Sequence, residues 1–77
     1  MTNLNDKLTI KQKMVLEAIE YLINQNGISP TYTEIADLLK CSVSQVFYKL
    51  IILEEKGYIS TVNGKARTIK VLRSVEE

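Results

Sequence analysis

The sequence predicts a mainly α-helical fold with a small β-hairpin towards its C-terminal end. Three segments begin with a capping box, in which Ser or Thr precedes Glu or Gln by three residues and each side chain bonds the other's backbone N–H. Apolar residues at helical spacing follow each box. After the third segment, β-branched residues alternate with polar ones on both sides of an Asn-Gly pair typical of hairpin turns. The boxes lie at residues 9–12, 31–34 and 42–45.

Residues that stop helices predict the boundaries of these elements. Gly27 and Gly57 can each adopt the left-handed conformation that ends a helix, and Pro30 disfavours a helical residue before it. The Asn63-Gly64 pair predicts the turn between two antiparallel strands. The prediction is one domain, residues 1–77, with helices at 10–26, 32–40 and 43–56, a hairpin at 58–72 and a tail at 73–77.

Helical phase predicts which side chains form the core. Steps of about 100° per residue put Val46, Leu50 and Leu53 on the inward side of the third helix, with Val43 beside them. Cys41, in the turn before that helix, is predicted to be a small buried residue. The inward residues of the first two helices are predicted to be Val15, Ile19, Leu22, Ile23, Ile35, Ala36 and Leu39.

Composition argues against several classes of function. The chain has 77 residues, of which 45% are hydrophobic and 25% charged, as expected of one small soluble domain. It has no run of about 18 apolar residues and no signal-peptide pattern, so we expect no membrane span and a cytoplasmic location. With no histidine and one cysteine, it offers no intramolecular disulfide, recognisable metal-ligand spacing or common general base. We therefore expect no enzymatic activity, metal or cofactor.

Charge is distributed unevenly along the chain, although its net value is only +1. Residues 40–73 contain seven basic residues and two acids, whereas residues 1–39 contain three basic residues and five acids. A positive C-terminal half is typical of a surface that binds nucleic acid. Uneven charge on solvated faces is the alternative explanation.

The second and third predicted helices, joined by a short turn, form a helix-turn-helix. Together with the first helix and the hairpin, they predict a three-helix winged helix-turn-helix. In that architecture the third helix enters the DNA major groove, and the hairpin, or wing, lies against the backbone or minor groove.

Four stretches follow one another at the spacing of a known family: LTIKQKMVLEAI, GISPTYTEIADLL, VFYKLIILEEKGYI and GKARTIKVL. Over about residues 8–72 the sequence thereby resembles the N-terminal DNA-binding domain of LexA-type SOS repressors. The resemblance implies a winged-helix fold, double-stranded DNA as a partner and a repressor's role in transcription regulation. LexA-type repressors continue into a self-cleaving Ser-Lys peptidase domain with a dimer interface. This sequence has no counterpart of that domain, so we expect it to lack the cleavage switch.

The resemblance also implies a base-reading surface at Ser42, Ser44, Gln45, Phe47 and Tyr48. Gln bonds both edge groups of adenine, and Ser bonds either donors or acceptors, so both suit direct readout. Ser44 and Gln45 also have a purely structural explanation, since Gln45 closes a capping box and Ser44 is tolerated in a first turn. By helical phase Phe47 lies at the rim of the core. Tyr48 points outward, which suits contact with a sugar, a thymine methyl or a phosphate.

Basic residues near this surface are candidate phosphate contacts. Lys65 and Arg67 flank the predicted turn and suit phosphates or the minor groove. Basic residues also keep hairpin tips soluble and guard edge strands, which is the structural alternative. The full set of candidates is Lys40, Lys49, Lys65, Arg67 and Lys70.

Two functional hypotheses remain open. The leading one is sequence-specific binding of double-stranded DNA by a transcriptional regulator, as a homodimer because so small a domain reads only a short half-site. The alternative is a winged-helix module that binds a protein, such as a phage-encoded inhibitor or adaptor. Helical phase points Tyr48, Ile51 and Ile52 outward, and apolar patches of this kind more often mark protein contacts.

Overall fold

A computed structural model describes residues 7–62 and 64–74, and within these ranges three helices precede two short strands. The strands pair antiparallel, with Ile59 opposite Val71 and Ser60 opposite Lys70. This architecture confirms the predicted winged helix-turn-helix. The elements are α1 (Ile10–Asn26), α2 (Tyr32–Leu39), α3 (Val43–Glu55), β1 (Ile59–Ser60) and β2 (Lys70–Val71).

The three predicted capping boxes are present and determine where the helices begin. At the start of α1, the Gln12 N–H donates to Thr9 Oγ1 at 3.1 Å and the Thr9 N–H donates to Gln12 Oε1 at 3.0 Å. An N-cap side chain of this kind stabilises a helix by about 1 kcal/mol. The same reciprocal bonds open α2 at Thr31 and Glu34, and α3 at Ser42 and Gln45.

The second helix ends at Leu39, one residue earlier than predicted. Lys40 has a φ of 59°, in the left-handed region, and therefore cannot continue the helix. The Cys41 N–H donates to the Ala36 carbonyl at 3.0 Å and the Lys40 N–H to the Asp37 carbonyl at 3.3 Å. These two bonds form a Schellman motif, which the sequence did not reveal because Lys40 stands where Gly is usual.

The third helix ends at Glu55 rather than Lys56, and Gly57 follows with a φ of 83°. The Lys56 ammonium group donates to the Lys7 carbonyl and, at 3.0 Å, to Gln12 Oε1. The Lys56 side chain therefore joins the end of α3 to the start of α1, and its ammonium group is used in hydrogen bonds within the protein.

The strands are shorter than the predicted hairpin because side-chain bonds replace part of the ladder. The Val62 N–H donates to Thr68 Oγ1 at 3.0 Å instead of to a facing carbonyl. Arg67 has a φ of 58°, which interrupts the extended conformation just before Thr68. The wing is thus mostly an irregular loop closed by a two-residue ladder.

The predicted Asn63-Gly64 turn includes residue 63, which lies outside the described residues, as do residues 75–77 of the predicted tail. Beside it, Gly64 has a φ of 78°, a conformation that suits Gly. The Lys65 N–H donates to the Val62 carbonyl at 3.2 Å.

The core lies between the three helices and the base of the wing. Full burial of one large aliphatic side chain contributes about 1.5–3 kcal/mol. The inward phase of α3 is confirmed, since Val46, Leu50 and Leu53 are buried. The buried apolar residues are Val15, Leu16, Ala18, Ile19, Ile35, Ala36, Val46, Leu50, Leu53, Tyr58, Ile59 and Ile69, with Leu22, Ile23 and Leu39 partly buried against them.

Two burial predictions are wrong. Val43 is 43% exposed, because helical phase gives a direction but does not tell whether a neighbouring element covers that end of the helix. Cys41 is exposed rather than buried, because the Schellman motif engages its backbone and leaves its side chain at the surface of the turn.

Within the described ranges, no helix combines the length and apolar character needed to cross a membrane. Residues 7–62 and 64–74 also contain no group of three or more His, Cys, Asp or Glu side chains suited to holding a metal ion.

Candidate nucleic-acid interface

The exposed side of α3 begins where the α2–α3 turn ends. Ser42 caps the helix, and Val46 and Leu50 join Ile35 and Ala36 of α2 in one buried cluster. This packing fixes α3 across α2 and leaves the opposite side of α3 free of core contacts. The predicted base-reading residues Ser42, Ser44, Gln45, Phe47 and Tyr48 are all exposed.

A stripe of exposed side chains runs along α3. Phe47 and Tyr48 lie three and four residues after Ser44, and Ile51 lies seven residues after it, so the four share one side of the helix. Phe47 is 49% exposed, Tyr48 64% and Ile51 41%. The stripe is therefore polar at the start of the helix and apolar after its first turn.

Gln45 is committed to the capping box of α3. Its Oε1 accepts the Ser42 N–H at 3.2 Å, while its own N–H donates to Ser42 Oγ at 3.1 Å. While the box is closed, one lone pair of Oε1 is used by the backbone, and the exposed Gln45 keeps its Nε2 donor outside the box. The two-atom contact with adenine that its residue type suggests would have to use the second lone pair of Oε1.

Phe47 packs against Tyr32, the first residue of α2. The two ring centroids are 5.8 Å apart and the ring planes are inclined by 45°, a favourable aromatic geometry. Tyr32 had no assigned role in the sequence, because its contact with Phe47 depends on how α2 crosses α3. The contact covers part of Phe47, which remains 49% exposed.

The candidate phosphate contacts differ in their surroundings. Lys40, Lys65 and Lys70 are exposed, and in the described part of the chain no ion pair engages them. Lys49 is half-buried. Lys40 lies in the turn before α3 and Lys65 near the tip of the wing, so positive charge is present in both predicted DNA-contacting elements.

Arg67 is bound within the protein. Its Nη2 lies 2.9 Å from Glu34 Oε2, and its Nη1 donates to Glu34 Oε1 at 3.2 Å and to the Ser29 carbonyl at 3.1 Å. Ser29 Oγ in turn accepts the Ile69 N–H at 2.9 Å. The wing is thereby fastened to the start of α2, and Arg67 presents less of its guanidinium to DNA than the sequence suggested.

The ion pair also changes the acidity of Glu34. The hydrogen bond from Arg67 lowers the pKa of the Glu34 carboxyl group, and the bond from the Thr31 backbone N–H acts in the same direction. Glu34 therefore stays charged at neutral pH while serving both the cap of α2 and the anchor of the wing.

A shallow cavity of about 270 Å³ lies between α1 and the start of α3. Lys11 and Lys49 both line it, together with Gln45 and the exposed Cys41. Sequence reasoning missed Lys11 because it belongs to the acidic half of the chain. Its place beside Gln45 makes it a further candidate for a phosphate contact.

The predicted protein-contact residues are only partly brought together. Tyr48 and Ile51 are exposed, whereas Ile52 is half-buried and does not project as helical phase suggested. The exposed apolar area is therefore smaller than predicted and is continuous with Phe47. Arg73 is also basic, but its guanidinium carbon lies 4.3 Å from the centroid of the Tyr58 ring, and both residues lie outside α3.

Comparisons with known proteins match most of the chain. A family model described as the LexA DNA binding domain matches residues 5–68. A LexA repressor of Thermotoga neapolitana is 42% identical over 69 residues, which are 90% of this chain and 35% of that protein. LexA repressors of Thermosipho melanesiensis and Arthrobacter sp. (strain FB24) are 39% and 38% identical over 91% and 84% of this chain. The chain spans about a third or less of the length of these relatives. It covers 35% of the Thermosipho melanesiensis protein and 26% of the Arthrobacter protein.

Proposed function

The chain belongs to the LexA DNA-binding domain family, and on this premise we propose that it binds double-stranded DNA sequence-specifically and represses transcription. The observation that carries the proposal is the position of α3. Its inner side is fixed in the core by Val46, Leu50 and Leu53, while its first turns are exposed and directly follow the turn that holds Lys40. A rigid helix presented in this way fits the major groove.

We assign base contacts to the start of α3. Ser44 is exposed and its hydroxyl both donates and accepts, so it suits any base edge within reach. Gln45 offers its Nε2 donor, which suits an acceptor such as guanine O6 or N7. Ser42 approaches the DNA as the cap residue, and Phe47 and Tyr48 continue the surface along the groove.

Phosphate contacts come from lysines on both sides of α3. Lys40 lies in the turn before α3, Lys49 on α3, and Lys65 and Lys70 in the wing. Each neutralised phosphate contributes about 0.9 to the slope of log affinity against log salt. Four such contacts give a slope of about −3 to −4.

Two copies of the chain would bind a two-fold symmetric site. A single domain of this size covers a short half-site, and two half-sites one helical turn apart multiply the information read. Ile51, exposed beyond the base-reading turns, is the residue we assign to contact with a second protein subunit.

Selection from a randomised duplex pool, followed by binding titrations over a range of salt, tests the proposal. We expect an enriched sequence, tighter binding to it than to the unselected pool, and a salt slope of about −3 to −4. The variant Ser44→Ala should bind the selected duplex more weakly and the pool almost unchanged. The variant Lys65→Ala should reduce the magnitude of the salt slope by about 1. Its matched control is Lys13→Ala, which removes a charge from α1 outside the proposed contacts and should leave the slope unchanged. Salt-independent binding, or no enrichment, would contradict the proposal.

The protein-binding alternative gains nothing from the comparisons, whose matched relatives are repressors. The apolar patch on which it relied has also lost Ile52 to partial burial. We therefore do not propose it as the function of the chain.

A further inference from the structure

Phe47 combines two properties that are unusual together in an exposed side chain. The residue is 49% exposed and lies on the side of α3 that carries Ser44 and Tyr48. The same ring is held by Tyr32, with the centroids 5.8 Å apart. An apolar group is thus presented at the surface and restrained by an aromatic contact, three residues beyond a proposed base-contacting serine.

The chemistry of the major groove restricts what such a ring can recognise. Phe has no hydrogen-bond donor or acceptor, and the apolar group on the major-groove edges of the four bases is the C5-methyl of thymine. Against any other edge the ring would remove water from a polar group without replacing its hydrogen bond, which is unfavourable. A Phe in the groove therefore favours thymine and disfavours the alternatives.

We propose that Phe47 is a specificity-determining residue that contacts a thymine C5-methyl group, and that Tyr32 positions it. This inference rests on the proposed function, since it requires α3 to occupy the major groove. It adds the class of base that the middle of α3 selects: at least one thymine in each half-site, next to the bases contacted by Ser44.

Phe47 suits this role better than Tyr48. Tyr48 is 64% exposed and carries a hydroxyl group, which suits a phosphate or sugar oxygen. Phe47 is already restrained by Tyr32, so binding orders fewer side-chain rotamers and less of the contact energy is lost. A restrained ring also tolerates less displacement, which sharpens discrimination between bases.

Replacement of thymine by deoxyuridine isolates the methyl group, because deoxyuridine keeps the hydrogen-bonding edge and removes only that group. Each thymine of the duplex selected by this chain is replaced in turn. At one position per half-site we expect the unaltered protein to lose about fourfold in affinity, the change that corresponds to one buried methylene. Phe47→Ala should bind the thymine and deoxyuridine duplexes equally at that position, whereas Phe47→Leu should retain part of the preference.

Variants of Tyr32 test the positioning role. Tyr32→Phe keeps the ring and should leave the methyl preference unchanged. Tyr32→Ala removes the support and should bring the ratio of the affinities for the thymine and deoxyuridine duplexes close to one. Circular dichroism first establishes that this variant is folded under the conditions of the measurement. A merely structural role would lower stability in Tyr32→Ala and leave the ratio of the two affinities unchanged, and that result would overturn the positioning assignment.

The outcomes distinguish this inference from the proposed function. If no duplex is enriched, α3 does not read DNA and the proposed function fails with everything that depends on it. If a duplex is enriched but contains no thymine in its half-sites, or loses equal affinity on methyl removal with Phe47 and with Phe47→Ala, the proposed function stands and the role of Phe47 is overturned.

Discussion

Arg67 and Glu34 form a two-point ion pair that joins the wing to the first turn of α2. Arg67 Nη2 lies 2.9 Å from Glu34 Oε2, and Nη1 lies 3.2 Å from Glu34 Oε1. Arg67 also adopts a φ of 58°, which L-residues seldom do. The side-chain bonds of Arg67 therefore hold both this backbone conformation and the wing against the start of α2.

The first prediction separates the two basic residues of the wing. Lys65→Ala should reduce the magnitude of the salt slope by about 1 and weaken binding to selected and random duplexes equally, because Lys65 is exposed and, under the proposed function, contacts a phosphate. Arg67→Lys keeps the charge but cannot form the two-point bond. It should preserve the slope and weaken binding to the selected duplex through displacement of the wing. A slope reduced by about 1 in Arg67→Ala, with Arg67→Lys unaffected, would instead make Arg67 a direct phosphate contact.

The second prediction concerns pH. The pKa of Glu34 is lowered in the folded chain, chiefly by the hydrogen bond from Arg67, so its contribution to stability is fully present above the unfolded-state pKa. That contribution is lost as the pH falls through the lowered value, which lies below the ordinary value of 4.5. Glu34→Gln keeps a residue that can close the capping box and removes the charge. The difference in urea midpoint between the two proteins should therefore be constant from pH 7 to about 5.5 and shrink below 4.5. A difference that persists at the lowest pH would mean that the charge is not its source.

The third prediction concerns Lys40, which has a φ of 59° at the end of α2. The left-handed conformation costs about 1–2 kcal/mol in an L-residue, and the greater freedom of Gly in the unfolded chain offsets part of that. Lys40→Gly should thus raise the free energy of unfolding by about 0.5–1 kcal/mol. Lys40→Ala removes the same charge without relieving the strain and is the matched control. If Lys40 contacts a phosphate, the magnitude of the salt slope should fall by about 0.9 in both variants.

Sequence reasoning succeeded where the determining interactions are local. The capping boxes at Thr9, Thr31 and Ser42 join residues three apart, so residue types at fixed spacing were enough to predict where each helix begins. The inward side of α3 was predicted for a similar reason, since the phase of a helix follows from its own geometry. These local elements, in order, were sufficient for the fold.

Contacts between distant segments were not predictable in this way. Arg67 and Glu34 are 33 residues apart, and the residues next to each of them in the sequence do not predict the ion pair. The contact of Tyr32 with Phe47 likewise depends on the crossing of α2 and α3. The predicted burial of Cys41 was wrong for a related reason. Its exposure depends on the Schellman motif, which forms here with Lys40 where Gly is usual. The contacts that position side chains of the candidate interface could therefore be identified only in the folded chain.

The fourth prediction separates Ile51 from Ile52. Ile51 is 41% exposed, so Ile51→Ser should change the free energy of unfolding by less than about 0.5 kcal/mol. Ile52 is half-buried, and Ile52→Ser should destabilise the chain by about 1–2 kcal/mol. In sedimentation with the selected duplex, Ile51→Ser should show fewer complexes containing two chains. Equal destabilisation by the two changes would show that the exposed side of α3 is displaced from where we place it.

The fifth prediction uses the double role of Gln45. Its Oε1 holds the Ser42 N–H in the capping box, so Gln45→Ala should lower the free energy of unfolding by about 1 kcal/mol in addition to any effect on DNA. Gln45→Glu keeps the oxygen that closes the box and replaces the outward donor by an acceptor. It should fold with nearly unchanged stability, and selection from a randomised pool should then yield a different preferred base, towards cytosine with its N4 donor. Gln12→Glu makes the same chemical change in the box of α1 and should leave the selected sequence unchanged. If Gln45→Glu selects the original sequence with the original affinity, Gln45 serves only as a helix cap. Base reading would then begin with Ser44 and pass directly to Phe47.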